Sequence, residues 1–128
     1  MKVLLVADAA WIQNEAVAAL SDPGTVIRQV EDPRTASQVA GEFEPDVVIV
    51  DMQVGSMGGM AVARSLREAE FADDLPVTSI VLLLDRSADE FLARRAAANA
   101  WVVKPFTPQQ LRATILSATT SLAGGRKA

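Results

Sequence analysis

Short apolar runs alternate along the chain with stretches in which apolar residues recur at helical spacing. The clearest run is Val47-Val48-Ile49-Val50, which leads directly into Asp51 and a loop punctuated by Gly55, Gly58 and Gly59. Continuous runs of β-branched residues are typical of strands that are buried on both faces. The pattern therefore predicts a buried strand over 46–50 that carries Asp51 to an exposed edge of a sheet.

The same reasoning predicts five strands alternating with five helices. We expect strands at 2–7, 25–30, 46–50, 77–84 and 100–103, and helices at 10–21, 33–43, 59–70, 87–98 and 108–122. Asp32 is the expected cap of the second helix, with Pro33 at its first position. The last helix has the clearest start, because Thr107, Pro108 and Gln110 fit a capping box with proline at the first position. Residues 1–122 are then one domain, and residues 123–128 are expected to be a short flexible tail.

Regular alternation of strands and helices indicates a doubly wound parallel α/β sandwich, because right-handed crossovers place helices on both faces of the sheet. Reactive groups in such sheets gather at the carboxyl ends of the strands. Asp8, Asp51, Asp85 and Lys104 all stand at predicted strand ends. The alternative for Asp51 is that it merely ends its strand, as aspartate commonly does.

Composition narrows the chemistry that these residues can perform. The 128 residues include no cysteine and no histidine, which excludes disulfides, a Ser-His-Asp triad and histidine-ligated metals. The net charge is −4 and the basic residues are scattered, so the sequence indicates no basic groove for nucleic acid. No apolar run approaches the length that a membrane span needs. We expect a cytoplasmic protein without membrane insertion, nucleic-acid binding or an effector domain.

Carboxylates at the ends of the first and third strands would repel each other, if the strands are neighbours, unless a cation lies between them. Mg²⁺ suits carboxylate and carbonyl oxygens. Asp8 and Asp51 are the expected ligands, and Lys104 would add an ammonium group. A cation, a carboxylate and an ammonium together suit a phosphoryl group, and without histidine or cysteine its acceptor would be a carboxylate.

These motifs resemble the receiver domain of two-component response regulators. The resemblance rests on Asp8, on Val-Ile-Val-Asp51, on the loop that closes at Gly59, and on the run Trp-Val-Val-Lys-Pro-Phe-Thr from Trp101 to Thr107. It covers nearly the whole chain. It implies a (βα)5 fold with the flavodoxin-like strand order 2-1-3-4-5.

The resemblance also implies roles for individual residues. Asp51 would be the phosphoacceptor and Lys104 the contact to the phosphoryl oxygens. Asp8, Asp51 and the backbone carbonyl of Gln53 would bind Mg²⁺. The Lys104–Pro105 peptide bond would be cis, and the alternative for Lys104 is an ordinary surface lysine.

The chain departs from the family pattern at two places. Ala7 stands where receivers usually carry a second acid, so we expect Mg²⁺ binding to be weakened but not abolished. The hydroxyl residue at the end of the fourth strand falls on Leu82 or Leu84, and neither side chain donates a hydrogen bond. Trp101, at the family's aromatic position, is then either a fixed binding residue or a switch. Trp11, beside Asp8, is either a docking residue or an aromatic packed at the rim.

Three functions compete at this point. The first is a stand-alone response regulator, not a turnover enzyme, that is phosphorylated on Asp51 by a sensor histidine kinase or phosphotransfer protein and signals to a downstream protein as a monomer or weak homodimer. The second is an adaptor that needs no phosphate and binds partners through its fourth helix, fifth strand and fifth helix. The third, an aspartate-dependent phosphatase, is disfavoured because Gln53 stands where that family needs an acid.

Overall fold

The computed structural model describes residues 1–127, and side chains as far as Thr120. In that part of the chain five parallel strands form one sheet in the order β2-β1-β3-β4-β5, which confirms the predicted fold. The strands are β1 (Lys2–Val6), β2 (Val26–Val30), β3 (Val47–Asp51), β4 (Ser79–Leu84) and β5 (Ala100–Val103). The helices are α1 (Ala10–Ala19), α2 (Ala36–Phe43), α3 (Gly59–Phe71), α4 (Glu90–Arg95) and α5 (Pro108–Lys127).

The central strands are buried on both faces of the sheet, as their unbroken apolar runs predict. Successive side chains point to opposite faces. Val50, Leu82 and Leu84 belong to the apolar core on the side of α2, α3 and α4. Ile49 and Leu83 belong to the core on the side of α1 and α5. The sheet is thus covered by two helical layers and presents its edges and strand ends to solvent.

The register of the strands aligns their carboxyl ends at one edge of the sheet. Val6 lies opposite Val50, Asp51 opposite Leu83, and Leu84 opposite Val103. The residues that follow these strands therefore converge at the same edge. This edge is the one at which the sequence predicts a reactive site.

Two helices differ from their predicted extents at their first turns. Residues Pro33–Thr35 and Ser87–Asp89 form 3-10 turns, and α2 and α4 begin only after them. Asp32 is a capping residue as predicted, since its carboxylate accepts a hydrogen bond of 3.0 Å from the backbone N–H of Arg34. The tighter turn at a helix start is common and leaves no signal in the spacing of apolar residues.

Helix α4 also ends earlier than the predicted residue 98. It stops at Arg95, and Ala97 adopts a left-handed backbone with a φ of 60°. The N–H of Asn99 must reach the carbonyl of Ile80, at 2.8 Å, to start the pairing of β5 with β4. The pairing of β5 with β4 therefore ends the helix at a place where the sequence has no glycine or proline as a stop signal.

The start of α5 agrees with prediction and its end does not. Thr107 and Gln110 exchange side-chain to backbone hydrogen bonds of 2.8 and 3.1 Å, which is the predicted capping box. The helix continues to Lys127 instead of ending near Leu122, because Gly124 and Gly125 weaken a helix without excluding it. The flexibility of 123–128 stays a prediction, and Ala128 lies outside the described residues. No helix in the described part of the chain has the length and apolarity to cross a bilayer.

Candidate functional site

Asp51 lies at the carboxyl end of the central strand β3 and is almost completely buried, with 1% of its surface exposed. Its Oδ1 atom accepts a hydrogen bond from the Lys104 ammonium and a second, of 3.2 Å, from the backbone N–H of Gln53. Its Oδ2 atom is buried and has no hydrogen-bond partner among the described residues. Since buried carboxylate oxygens almost always have a hydrogen-bond partner, this unpartnered oxygen marks a place for a ligand.

Lys104 follows β5 and brings its ammonium group into the site between two carboxylates. Besides Asp51, it donates a hydrogen bond of 2.9 Å to Oδ1 of Asp85. Burial acts to lower the pKa of Lys104, but its hydrogen bonds to Asp51 and Asp85 outweigh burial and raise that pKa above its usual value. The Lys104 side chain is therefore charged and fixed by two carboxylates, unlike the ordinary surface lysine of the alternative interpretation.

Asp85 is the first residue after β4, and its carboxylate bridges two other residues of the site. Oδ1 is bound by Lys104, and Oδ2 accepts a hydrogen bond from the side-chain amide of Gln53. Partial burial acts to raise the pKa of Asp85, but these two hydrogen bonds outweigh it and hold the pKa below its usual value. Asp85 is thus an ionised third carboxylate at the mouth of the site.

The sequence placed Asp85 at a strand end but assigned no role to it. Its position after an apolar run is visible in the sequence, and Asp85 shares that signal with Asp8 and Asp51. Its pairing with Lys104 and Gln53 depends on side-chain rotamers, which the sequence does not display. The structure therefore adds one residue to the predicted site.

Asp8 stands two residues beyond β1, next to the end of β3, and its side chain is exposed. Its Oδ2 atom accepts a hydrogen bond of 2.9 Å from the backbone N–H of Gly55. Gly55 has a φ of 53°, a left-handed conformation in which glycine is unstrained. This hydrogen bond connects the loop between β3 and α3 to Asp8.

The donors present fit a weak magnesium site. Ala7 is completely buried, and the described residues contain no cluster of three or more acidic, histidine or cysteine side chains placed to hold a metal ion. Mg²⁺ nevertheless binds proteins through as few as one or two carboxylates, with water and substrate oxygens completing its coordination. The carboxylates of Asp8 and Asp51 supply such a pair.

The structure distinguishes the two leucines at the end of β4. Asp51 lies opposite Leu83, so Leu84 lies one residue further toward the site and Leu82 one residue further away. The backbone N–H of Lys104 donates to the carbonyl of Leu84 at 2.8 Å. Of the two candidate positions, Leu84 is therefore the one nearer to the carboxyl end of the strand, and its side chain is fully buried in the core.

The remaining predicted residues lie within three positions of Asp8 or Lys104 along the chain. Trp101 is partly buried on β5 and carries the guanidinium of Arg94 over its ring, 5.4 Å from the ring centroid. Trp11, at the second position of α1, is half exposed. The Lys104–Pro105 peptide bond is cis, as the resemblance implied.

Comparison with known sequences agrees with this arrangement. The family model of the response regulator receiver domain matches residues 3–116. The probable transcriptional regulator ycf27 of Guillardia theta is 32% identical over 89% of this chain and 43% of its own length. The phosphate regulon transcriptional regulatory protein PhoB of Pseudomonas aeruginosa is 27% identical over 88% of this chain and 49% of its own length. The chain thus spans about half the length of these relatives.

Solved structures show the same fold. The chemotaxis response regulator CheY4 of Vibrio cholerae superimposes with a TM-score of 0.79 at 28% identity, over 91% of this chain and 97% of its own. The receiver domain of the sensor histidine kinase PA1611 of Pseudomonas aeruginosa, solved with magnesium in its active site cleft, gives 0.78 at 22% identity over 93% and 97%. The family model matches most of the chain, and Asp51, Lys104 and the order of the strands agree with it. The chain therefore belongs to the response regulator receiver domains of two-component signalling.

Proposed function

We propose that the chain accepts a phosphoryl group on Oδ2 of Asp51, from the phosphohistidine of a sensor kinase or a phosphotransfer protein. The buried Oδ2 atom, which has no hydrogen-bond partner among the described residues, is the observation that carries this proposal. The other oxygen of the same carboxylate is held by Lys104 and by the N–H of Gln53, which fixes the direction in which Oδ2 points. A fixed nucleophile of this kind is oriented before the donor arrives.

In the transfer, Oδ2 forms a bond to phosphorus while the bond from phosphorus to the donor's imidazole nitrogen breaks, and the imidazole leaves as a neutral ring after taking up a proton from solvent. The product is an acyl phosphate on Asp51. Lys104 is the cation that stabilises the negative charge of the phosphoryl oxygens by donating hydrogen bonds to them. Receiver domains are signalling domains, so we propose no turnover of metabolites at this site.

Mg²⁺ is the cofactor that we propose, held by Asp8, Asp51 and the backbone carbonyl of Gln53. The magnesium in the cleft of the PA1611 receiver, which shares this fold, supports the assignment. When bound, the ion would neutralise charge on the phosphoryl oxygens. The site's own contribution is the orientation of Asp51 and the second positive charge from Lys104.

The partner contacts of the proposal lie beside the site. Trp11 is the residue that we assign to docking of the kinase or phosphotransfer protein, since a half-exposed tryptophan next to Asp8 offers a large apolar surface. We assign Trp101, its neighbour Arg94 and Pro105 to the binding of a downstream protein. We place these events in the cytoplasm, where ATP supplies the phosphoryl group to the kinase.

The test is intact-protein mass spectrometry after incubation with Mg²⁺ and acetyl phosphate, and separately with phosphorylated histidine kinases of the source organism. The wild type should gain the mass of one phosphoryl group, and Asp51→Asn should gain none. Asp74→Asn is the matched control, because Asp74 is an exposed aspartate in the connection that precedes β4. Absence of any mass gain in the wild type, with every donor, would overturn the proposal.

A second candidate function is an adaptor that needs no phosphate. Ala7 and the buried leucines at 82–84 favour it, because they remove an acid and the hydroxyl that the family uses. An adaptor would retain its partner after Asp51→Asn, whereas a phosphorylation-dependent regulator would lose it. The measurement is co-purification of one identified partner with the wild type and with this variant.

A further inference from the structure

In the resting site the carboxylate of Asp85 already accepts a hydrogen bond from the Lys104 ammonium group. We propose that Asp85 is a resident anion, which a phosphoryl group on Asp51 displaces from Lys104, and that this displacement carries the signal from the site to α4. The inference rests on the proposed function, because it needs a phosphoryl group at Asp51. It assigns to Asp85 a positioning role and no part in the bond-forming step.

The first step is competition for one cation. An ammonium group has three N–H donors, and Lys104 directs one to Asp51 and one to Asp85. A phosphoryl group brings a charge of about −1.5 to −2 and three acceptor oxygens. These oxygens compete for Lys104 and repel the carboxylate that is already there.

The second step concerns which carboxylate moves. The Asp51 side chain is 1% exposed and is covalently bound to the phosphoryl group, so it stays. The Asp85 side chain is 29% exposed, and it can turn to water without losing its solvation. Asp85 is therefore the group that leaves, and the side-chain amide of Gln53 loses its acceptor at the same time.

The third step is the connection from Asp85 to α4. Asp85 is followed by Arg86, whose backbone N–H and guanidinium donate to the buried carboxylate of Asp89 at 3.1 and 3.2 Å. Asp89 ends the 3-10 turn that leads into α4, a helix of six residues whose Arg94 lies over Trp101. Movement of Asp85 is thus passed to α4 through a short, hydrogen-bonded connection, and no hydroxyl at Leu84 is required.

The test uses beryllium fluoride with Mg²⁺ as a phosphoryl mimic, with affinity measured by titration calorimetry on the whole chain. Asp85→Asn keeps the shape of the side chain and removes the competing charge. We expect it to bind the mimic about fivefold more tightly than the wild type, as the loss of one partly exposed ion pair predicts. Asp74→Asn should bind as the wild type does.

Equal affinity of wild type and Asp85→Asn would overturn the inference and leave the proposed function standing. Weaker binding by Asp85→Asn would also overturn it, since Asp85 would then be a ligand of the metal or mimic. If no variant and no wild-type protein bound the mimic or accepted a phosphoryl group, the proposed function and the role of Asp85 would fall together.

Hydrogen–deuterium exchange supplies a readout of the signal itself. In the wild type, the mimic should increase amide exchange in residues 86–95, because Asp85 no longer anchors the connection. In Asp85→Asn that exchange should already be raised at rest and change little on binding. An unchanged exchange in 86–95 of the wild type, with the mimic bound, would contradict the path to α4.

Discussion

Gly59 and Asp51 are in direct backbone contact: a Cβ atom at residue 59 would lie 2.6 Å from the carbonyl oxygen of Asp51. Gly59 is the first residue of α3, and its N–H donates to the carbonyl of Met52 at 2.9 Å. The loop that follows Asp51 is thus closed against the strand that carries Asp51. No side chain fits between them.

Substitution of Gly59 by alanine should therefore destabilise the protein by about 2–3 kcal/mol, because the obstacle is backbone that side-chain motion does not relieve. Gly24→Ala is the matched control, since a Cβ at Gly24 meets nothing within 4 Å. We expect that control to be unchanged or more stable by up to about 1 kcal/mol. Urea unfolding followed by circular dichroism measures both, and equal midpoints for the two variants would refute the close contact.

Asp51 and Lys104 should be energetically coupled. Lys104→Met leaves the buried Asp51 carboxylate without its cation and should cost about 3 kcal/mol of unfolding free energy. Adding Asp51→Asn removes the unpaired charge, so the double variant should recover much of that loss. A double-mutant cycle by urea unfolding should give a coupling energy of about 1–3 kcal/mol, whereas strictly additive effects would contradict the ion pair. The exposed pair Asp32 and Arg34 is the control, and Arg34→Gln should leave the midpoint unchanged.

An acid at position 7 should strengthen magnesium binding and lower the stability of the metal-free protein. Ala7 is completely buried beside two carboxylates of the site, so Ala7→Asp places a third negative charge there. We expect a lower melting temperature without Mg²⁺, a larger increase on adding it, and a dissociation constant about tenfold lower. Ala7→Asn, which has the same shape without the charge, should show the loss of stability without the tighter binding. Similar magnesium responses in the two variants would argue against Ala7 as the cause of a weak site.

Leucine at position 84 should be more stabilising than the hydroxyl residue of the family. Leu84 is fully buried, so Leu84→Thr removes apolar contacts and buries a hydroxyl, at a cost of about 2–4 kcal/mol. Leu116, on α5, is 66% exposed, and Leu116→Thr should change the unfolding free energy by less than about 0.5 kcal/mol. Thermal and urea unfolding distinguish the two. A tolerated threonine at 84 would mean that the leucine is not needed for the core.

The fold was predictable because its signals are local and agree with one another. Strands β3 and β4 are buried over their whole length, and Thr107 with Gln110 caps α5 as the sequence indicates. The fourth strand was predicted to begin at Val77, but Val77 is exposed and β4 begins at Ser79. The short α4 was not predictable, since a non-glycine residue, Ala97, turns the chain. Its turn is set by the pairing of β5 with β4, which is a long-range constraint.

The site was predictable to the extent that strand ends define it. Asp51 and Lys104 meet because parallel strands end at one edge, and their contact is confirmed. The contact of Asp85 with Lys104 was missed because many rotamers of a strand-end aspartate point to water. Which of the two leucines lies nearer to the site also required the register, since the pairing of Asp51 with Leu83 separates position 82 from position 84.

The contacts of Lys104 also determine the electrical balance of the pocket. Asp8, Asp51 and Asp85 with Lys104 give three carboxylates and one ammonium, a formal charge of −2 at rest. One divalent cation cancels that charge, so a dianionic phosphoryl donor would approach a neutral pocket only when the ion is in place. If the site works as proposed, charge therefore sets the order of events: the metal would bind first, the phosphoryl group second, and Asp85 would be released last.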